Sequence, residues 1–137
     1  MNPGFDHEKL RAYQEALKFA AWCEPVISAL PAKLAARDQL DRASTSVVLN
    51  IAEGNGKRSS VDRCRYLDIA RGSAVECAAC LDILVARKAL TPAVADEGKL
   101  LLHGVVAMTA GLIARFSGAA REDGGSYRSG LVENENE

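Results

Sequence analysis

Histidine is scarce in this 137-residue chain, with only His7 and His103 present, and that scarcity removes several chemistries. Zinc held in a finger needs clustered Cys and His ligands, whereas these imidazoles lie far apart without finger-like spacing. Di-iron sites in helical bundles need Glu-x-x-His pairs, and none occurs. Aromatic residues make up 5% of the chain and no long β-branched run is bounded by turns, which argues against a sheet-based core. No stretch reaches about 18 consecutive apolar residues, and the N-terminus MNPGFDHEK lacks the basic-then-apolar layout of a signal peptide. These absences predict a cytoplasmic protein with no membrane partner, metal or cofactor.

Cysteine is present but not as a framework. Cys23, Cys64, Cys77 and Cys80, without a secretion signal, read as reduced core residues. The Cys77-x-x-Cys80 pair sits mid-helix on an apolar face, whereas redox dithiols gain reactivity from a helix N-terminus. The turn Gly54-x-Gly56-Lys57 lacks the remaining glycine of a P-loop and follows a helix rather than a strand. No enzyme is expected.

What the chain does have is helical periodicity and a hydrophobic content of 48%. Leu40, Ser44, Val47, Ile51 and Gly54 share one helical face. Tyr66, Ala70, Ser73, Cys77, Leu81 and Leu84 form a seam spaced 4, 3, 4, 4 and 3. Four helices are predicted, at about 6–30, 33–55, 60–88 and 92–117. In the first, Leu10, Tyr13, Leu17 and Ala20 form one side, and Pro25 bends the helix. Gly54 and Gly56 are expected to end the second through a left-handed residue. Ser59 caps the third, with Asp62 complementing the dipole. Leu90-Thr91-Pro92 starts the fourth, which buries Leu101, Leu102, Val105, Val106, Thr109, Leu112, Ile113 and Phe116. Residues 1–120 thus form one domain, an all-α, antiparallel up-down four-helix bundle. Residues 121–137 read as a flexible acidic tail carrying −3, against +2 for the rest.

The segments IAEG (51–54), Arg58-Ser59 with Asp62, and LDIARGSAVE (67–76) resemble the signature of a family of small bacterial four-helix-bundle proteins. That family includes proteins encoded within intervening sequences of large-subunit ribosomal RNA genes, and the accessory variability determinant of diversity-generating retroelements. Weaker similarity extends over roughly residues 8–118. The resemblance implies a homopentamer and, from the retroelement relative, nucleic-acid contact in support of a reverse transcriptase. The family label records where some genes lie and does not imply binding to ribosomal RNA.

Three sets of residues are candidates for function. Lys57, Arg58, Arg63, Arg65 and Arg71 cluster at and beyond the turn between helices two and three, where side-chain charge, loop amides and a helix N-terminus could hold RNA or DNA phosphates; the plainer alternative is a solvated helix face. Arg42, Asn50, Glu53, Ser73 and Glu76 place polar groups near the helix seams. Glu76 and Asn50 either hydrogen-bond there, with Arg42 or Arg58 as counter-charge, or Glu76 reaches water. Leu49 lies about 180° from the inward face of helix two, and Trp22 lies on the face of helix one that carries Arg11, Glu15 and Lys18, so both are candidate oligomer contacts. The leading expectation is a non-catalytic, self-assembling scaffold that contacts nucleic acid. A structural or protein-interaction homo-oligomer with no nucleic-acid role is the alternative, favoured by the net charge of −1.

Overall fold

The computed structural model describes residues 3–122, with side chains described as far as residue 118. A 3-10 turn, Asp6–Lys9, precedes α1 (Arg11–Ala29), α2 (Ala35–Asn55), α3 (Ser60–Ala86) and α4 (Pro92–Glu122), and no strand occurs among the described residues. The tail expected beyond residue 122 lies outside them.

Local chemistry sets most of the boundaries. The first predicted helix is divided because Leu10 adopts an extended backbone, φ −75° and ψ 128°. α1 then runs through Pro25 and stops before Pro31, with Leu30 extended at ψ 144°, as a residue preceding proline should be. Ser59 caps α3, its Oγ accepting from the Asp62 amide at 3.0 Å. Lys88 closes that helix in the left-handed region at φ 61°, with the Ala89 amide donating back to the Leu84 carbonyl at 2.9 Å. Thr91 Oγ1 accepts from the Val94 amide at 3.3 Å, one residue ahead of Pro92. α4 continues to Glu122, past the predicted end near 117.

Glycine acts differently from the expectation at the α2–α3 turn. Gly56 is right-handed at φ −82°, and Gly54 is a buried residue inside α2. A Cβ at Gly54 would stand 3.1 Å from Tyr66 Cβ and 3.2 Å from the Arg63 carbonyl oxygen. The glycine is there for the close approach of α3.

One apolar core lies between the four helices. α2 contributes Leu40, Val47 and Ile51, α3 contributes Leu67, Leu81 and Leu84, and α4 contributes Leu102, Val105 and Ile113, all at most 2% exposed. Each such side chain is worth about 1.5–3 kcal/mol relative to exposure. Thr109 is also buried, and its Oγ1 donates to the Val105 carbonyl at 2.6 Å. The inward face of α1 is Ala12, Ala16, Phe19 and Cys23. The predicted side of Leu10, Tyr13, Leu17 and Ala20 is displaced from it, with Leu17 45% exposed. Phe19 is the one large side chain on that inward face and is fully buried among smaller residues.

Contacts between elements fix the neighbours. Arg37 Nε donates to the Ile27 carbonyl at 3.1 Å between α2 and α1, Ser46 and Ser73 meet at 2.8 Å between α2 and α3, and Lys99 pairs with Asp82 between α4 and α3. Trp22 Nε1 donates to Glu97 at 3.4 Å, joining α1 to α4. The segment of α4 from Pro92 to Gly118 is long and apolar enough to cross a membrane by length and composition. Its most buried residues pack into this core.

Candidate interaction surfaces

The five basic residues near the α2–α3 turn do not form one patch. Lys57 Nζ lies 4.8 Å from the centre of the Tyr66 ring. Arg63 donates through Nε to the Lys57 carbonyl at 2.7 Å and stacks over Phe116 at 4.9 Å. Arg65 points to the outer side of α3, 3.7 Å from Asp62. Arg71 lies two turns further on, half-buried, with its Nε buried and lacking an acceptor. Arg58 is exposed and forms no ion pair among the described residues. A cation from α4 joins this end instead, because Arg115 lies 5.4 Å from the Phe116 ring. The surface is therefore Lys57 over Tyr66 and Arg63 and Arg115 over Phe116, cation–π contacts, with the exposed Arg58 next to Lys57 in the chain. Arg115 was not legible as part of it, being far away in sequence.

The polar candidates also divide. Asn50 Nδ2 donates to the Ser46 carbonyl at 2.9 Å and to Ser46 Oγ at 3.0 Å, and Ser46 Oγ meets Ser73 Oγ. Asn50 and Ser73 thus belong to one half-buried seam joining α2 to α3. Glu76 is exposed and accepts from Gln39 Nε2 at 2.9 Å; neither Arg42 nor Arg58 is its partner. Arg42 and Glu53 are exposed on the outer side of α2 and stand outside this network.

Trp22 is turned inward. It is half-buried, stacks on Phe19 with centroids 5.7 Å apart, and covers Gly98 of α4, where a Cβ would stand 2.5 Å from Trp22 Cη2. Part of the ring is thus engaged within the subunit, against Phe19 and Gly98. Leu49 is 60% exposed, beside Arg42, Ser46 and Asn50 in a shallow groove.

The two-sided helix is α3 more than α2. Opposite its core seam, Arg65, Ile69, Gly72, Glu76, Ala79 and Ile83 recur at spacings of 4, 3, 4, 3 and 4, and all are exposed. Ile69 and Ile83 are 46% and 43% exposed. A Cβ at Gly72 would meet nothing within 4 Å. This 4–3 pattern with small residues between two isoleucines is how one helix presents itself to another. The Gln39–Glu76 and Ser46–Ser73 contacts place Leu49 on the same side of the molecule. Periodicity located one apolar seam on α3 and overlooked this second one, because Glu76 and Gly72 interrupt it.

The thiols carry no reactive geometry. All four are buried and free. Burial pushes Cys23 up to about 12, against a partly opposing hydrogen bond from Ser44. Cys77 is raised by burial first and then by its neighbours Cys23 and Cys80. His7 packs edge-on to Tyr13 with centroids 4.6 Å apart, and His103 is exposed. Among the described residues no group of three His, Cys, Asp or Glu side chains is placed to hold a metal ion.

Comparison with known proteins agrees with this helical architecture. A protein of unknown function from the S23 ribosomal protein family of Bacteroides thetaiotaomicron superposes with a TM-score of 0.70 at 21% identity, over 74% of this chain and 97% of that one. At that identity the likeness speaks for the fold alone. The search of curated proteins finds no match. The family model for the 23S rRNA-intervening sequence protein matches residues 8–111, and with well over half its length matched, the chain belongs to that family.

Proposed function

We propose that this protein is a non-catalytic helical scaffold, an antiparallel up-down four-helix bundle whose copies assemble through the outer side of α2 and α3. The exposed 4–3 row on α3, from Ile69 to Ile83 with Leu49 beside it, carries the reading. A helix apolar on two sides is satisfied only when both are covered. Antiparallel order is supported by the residue pairs themselves: Ser46 meets Ser73 while Gln39 meets Glu76, and Cys64 meets Ile113 while Asp82 meets Lys99. Five copies is the number that the family resemblance implies.

The same scaffold contacts nucleic acid through Lys57, Arg58, Arg63 and Arg115 at its basic end. Assembly repeats that small cluster, so phosphate contacts too few to hold a strand from one subunit add up over several. Two measurements test the reading. Light scattering at two concentrations should give a multiple of 14.6 kDa, and a monomer at high micromolar concentration overturns it. Retention on immobilised RNA and DNA should fall steeply as salt rises. Absence of retention at about 50 mM salt, where phosphate contacts are strongest, leaves a structural homo-oligomer with no nucleic-acid role. That second reading has its own support, because Arg65 is paired with Asp62 and Arg63 is engaged within the turn.

A further inference from the structure

The outward face of α4 carries Leu100, the most exposed large apolar side chain in the four α-helices at 74%. Gly104, Ala107, Gly111 and Ala114 follow it at spacings of 4, 3, 4 and 3, on the side opposite the buried Leu102, Val105, Thr109 and Ile113. No Asp, Glu, Lys or Arg occurs from Leu100 to Ala114. An open groove of about 250 Å³ borders the far end of this face, where Leu10 and Ala12 of α1 stand beside Met108, Gly111 and Leu112 of α4. A Cβ at Gly104 or at Gly111 would meet nothing within 4 Å. One helix face therefore presents both a knob and a hole.

We infer that the groove is filled by Leu100 of a second copy, packed antiparallel along α4. A two-fold axis makes such a contact self-complementary, since residue i meets residue j and j meets i. Leu100 precedes Gly104 by four residues and Gly111 follows Ala107 by four. The register that sets Gly104 against Ala107 of the second copy thus also sets Leu100 against its Gly111, and the knob enters the hole twice. Glycine and alanine at the crossing leave the two helices free to approach closely.

Charge fits the same arrangement. Glu97 is exposed on the side of α4 that faces α1, where Trp22 Nε1 donates to one of its carboxylate oxygens at 3.4 Å. Arg11 of α1 is exposed at the rim of the groove and pairs with no carboxylate among the described residues. A two-fold axis perpendicular to the helices keeps the α1 sides of both copies together, so Glu97, one turn before Leu100, comes against Arg11 of the second copy. Arg115 keeps its place over Phe116. The contact is small beside the roughly 1,200–2,000 Å² of stable complexes, so concentrated protein is needed to populate it. It is separate from the α2–α3 surface and rests neither on that assembly nor on nucleic-acid binding.

Cross-linking between two differently tagged full chains tests it. Leu100→Cys in one and Gly111→Cys in the other change exposed positions only, and the four native thiols are buried. Oxidation of the mixture at high micromolar concentration should give the mixed disulfide at several-fold the yield of either chain with itself, because two Leu100 positions lie about 16 Å apart along antiparallel helices. Arg11→Glu in the Gly111→Cys chain should lower that yield several-fold, and Glu97→Arg in the Leu100→Cys chain should restore it, with every variant keeping the cooperative unfolding transition of its parent. The inference is overturned if no mixed disulfide forms, if Leu100→Cys links to itself as readily, or if Arg11→Glu leaves the yield unchanged. It is equally overturned if a fluorophore on Leu100→Cys shifts to the blue with phosphatidylcholine–phosphatidylglycerol vesicles and not with rising protein concentration, because the apolar α4 then lies on lipid.

Discussion

Two glycines on α4 show how much one missing methyl group decides. At Gly98 an added Cβ would lie 2.5 Å and 2.6 Å from ring atoms of Trp22 and 2.9 Å from Leu81 Cδ1. Trp22 cannot swing away freely, because Phe19 is stacked on it. Overpacking of about 1–3 kcal/mol outweighs the roughly 1 kcal/mol that alanine gains over glycine in a helix, so Gly98→Ala should lower the urea midpoint. At Gly104 nothing lies within 4 Å of the added atom, and the helix term acts alone. Gly104→Ala should raise stability by up to about 1 kcal/mol, read as a higher midpoint.

The buried thiols give a pH prediction at the same scale. Cys23 rises from 9.0 to about 12 in the folded chain, with burial the main cause, so between those values the unfolded chain loses a proton that the folded chain keeps. Stability from this group is whole below pH 9 and falls as pH rises towards 12, by up to about 1.4 kcal/mol per pH unit. Urea titrations between pH 8 and about 11 should show that decline, and Cys23→Ala should lessen its slope while Cys77, also raised by burial, still contributes. A stability that is level in pH would refute the burial of these thiols.

Among the elements, α3 explains why periodicity went only part of the way. It has the core seam of Ala70, Cys77, Leu81 and Leu84 on one side and Ile69, Gly72, Ala79 and Ile83 on the other, so its apolar residues point in opposed directions. Where a helix has one strong stripe, as α2 does with Leu40, Val47 and Ile51, spacing alone identifies the inward face. α1 misleads for a different reason. Its inward residues are mostly alanines, and spacing counts bulk more readily than smallness. The seam between α2 and α3 rests on the Ser46–Ser73 contact. Ser73→Ala leaves Ser46 Oγ with only Asn50 and should cost about 1 kcal/mol, read from the thermal or urea midpoint.

At the scale of the molecule, the outer side of α2 and α3 and the basic end carry the functional proposal. Ile69→Glu with Ile83→Glu alters exposed residues only, so each subunit should keep its helicity while the mass in solution falls towards 14.6 kDa. An unchanged oligomer would place the interface elsewhere. Charge reversal at Arg58 should weaken nucleic-acid retention without changing assembly, because Arg58 is exposed and outside the α3 row.

Spacing, capping residues and prolines were enough to read four helices, the cap at Ser59, the inward face of α2 and the burial of all four cysteines, because each depends on groups within a turn or two of one another. Packing settled the rest. It turned Trp22 inward onto Gly98, gave Glu76 to Gln39, dispersed five neighbouring cations and brought Arg63 to the same Phe116 ring as Arg115. Those outcomes depend on which helices become neighbours and how closely they approach, and such distances arise between residues that local periodicity never compares.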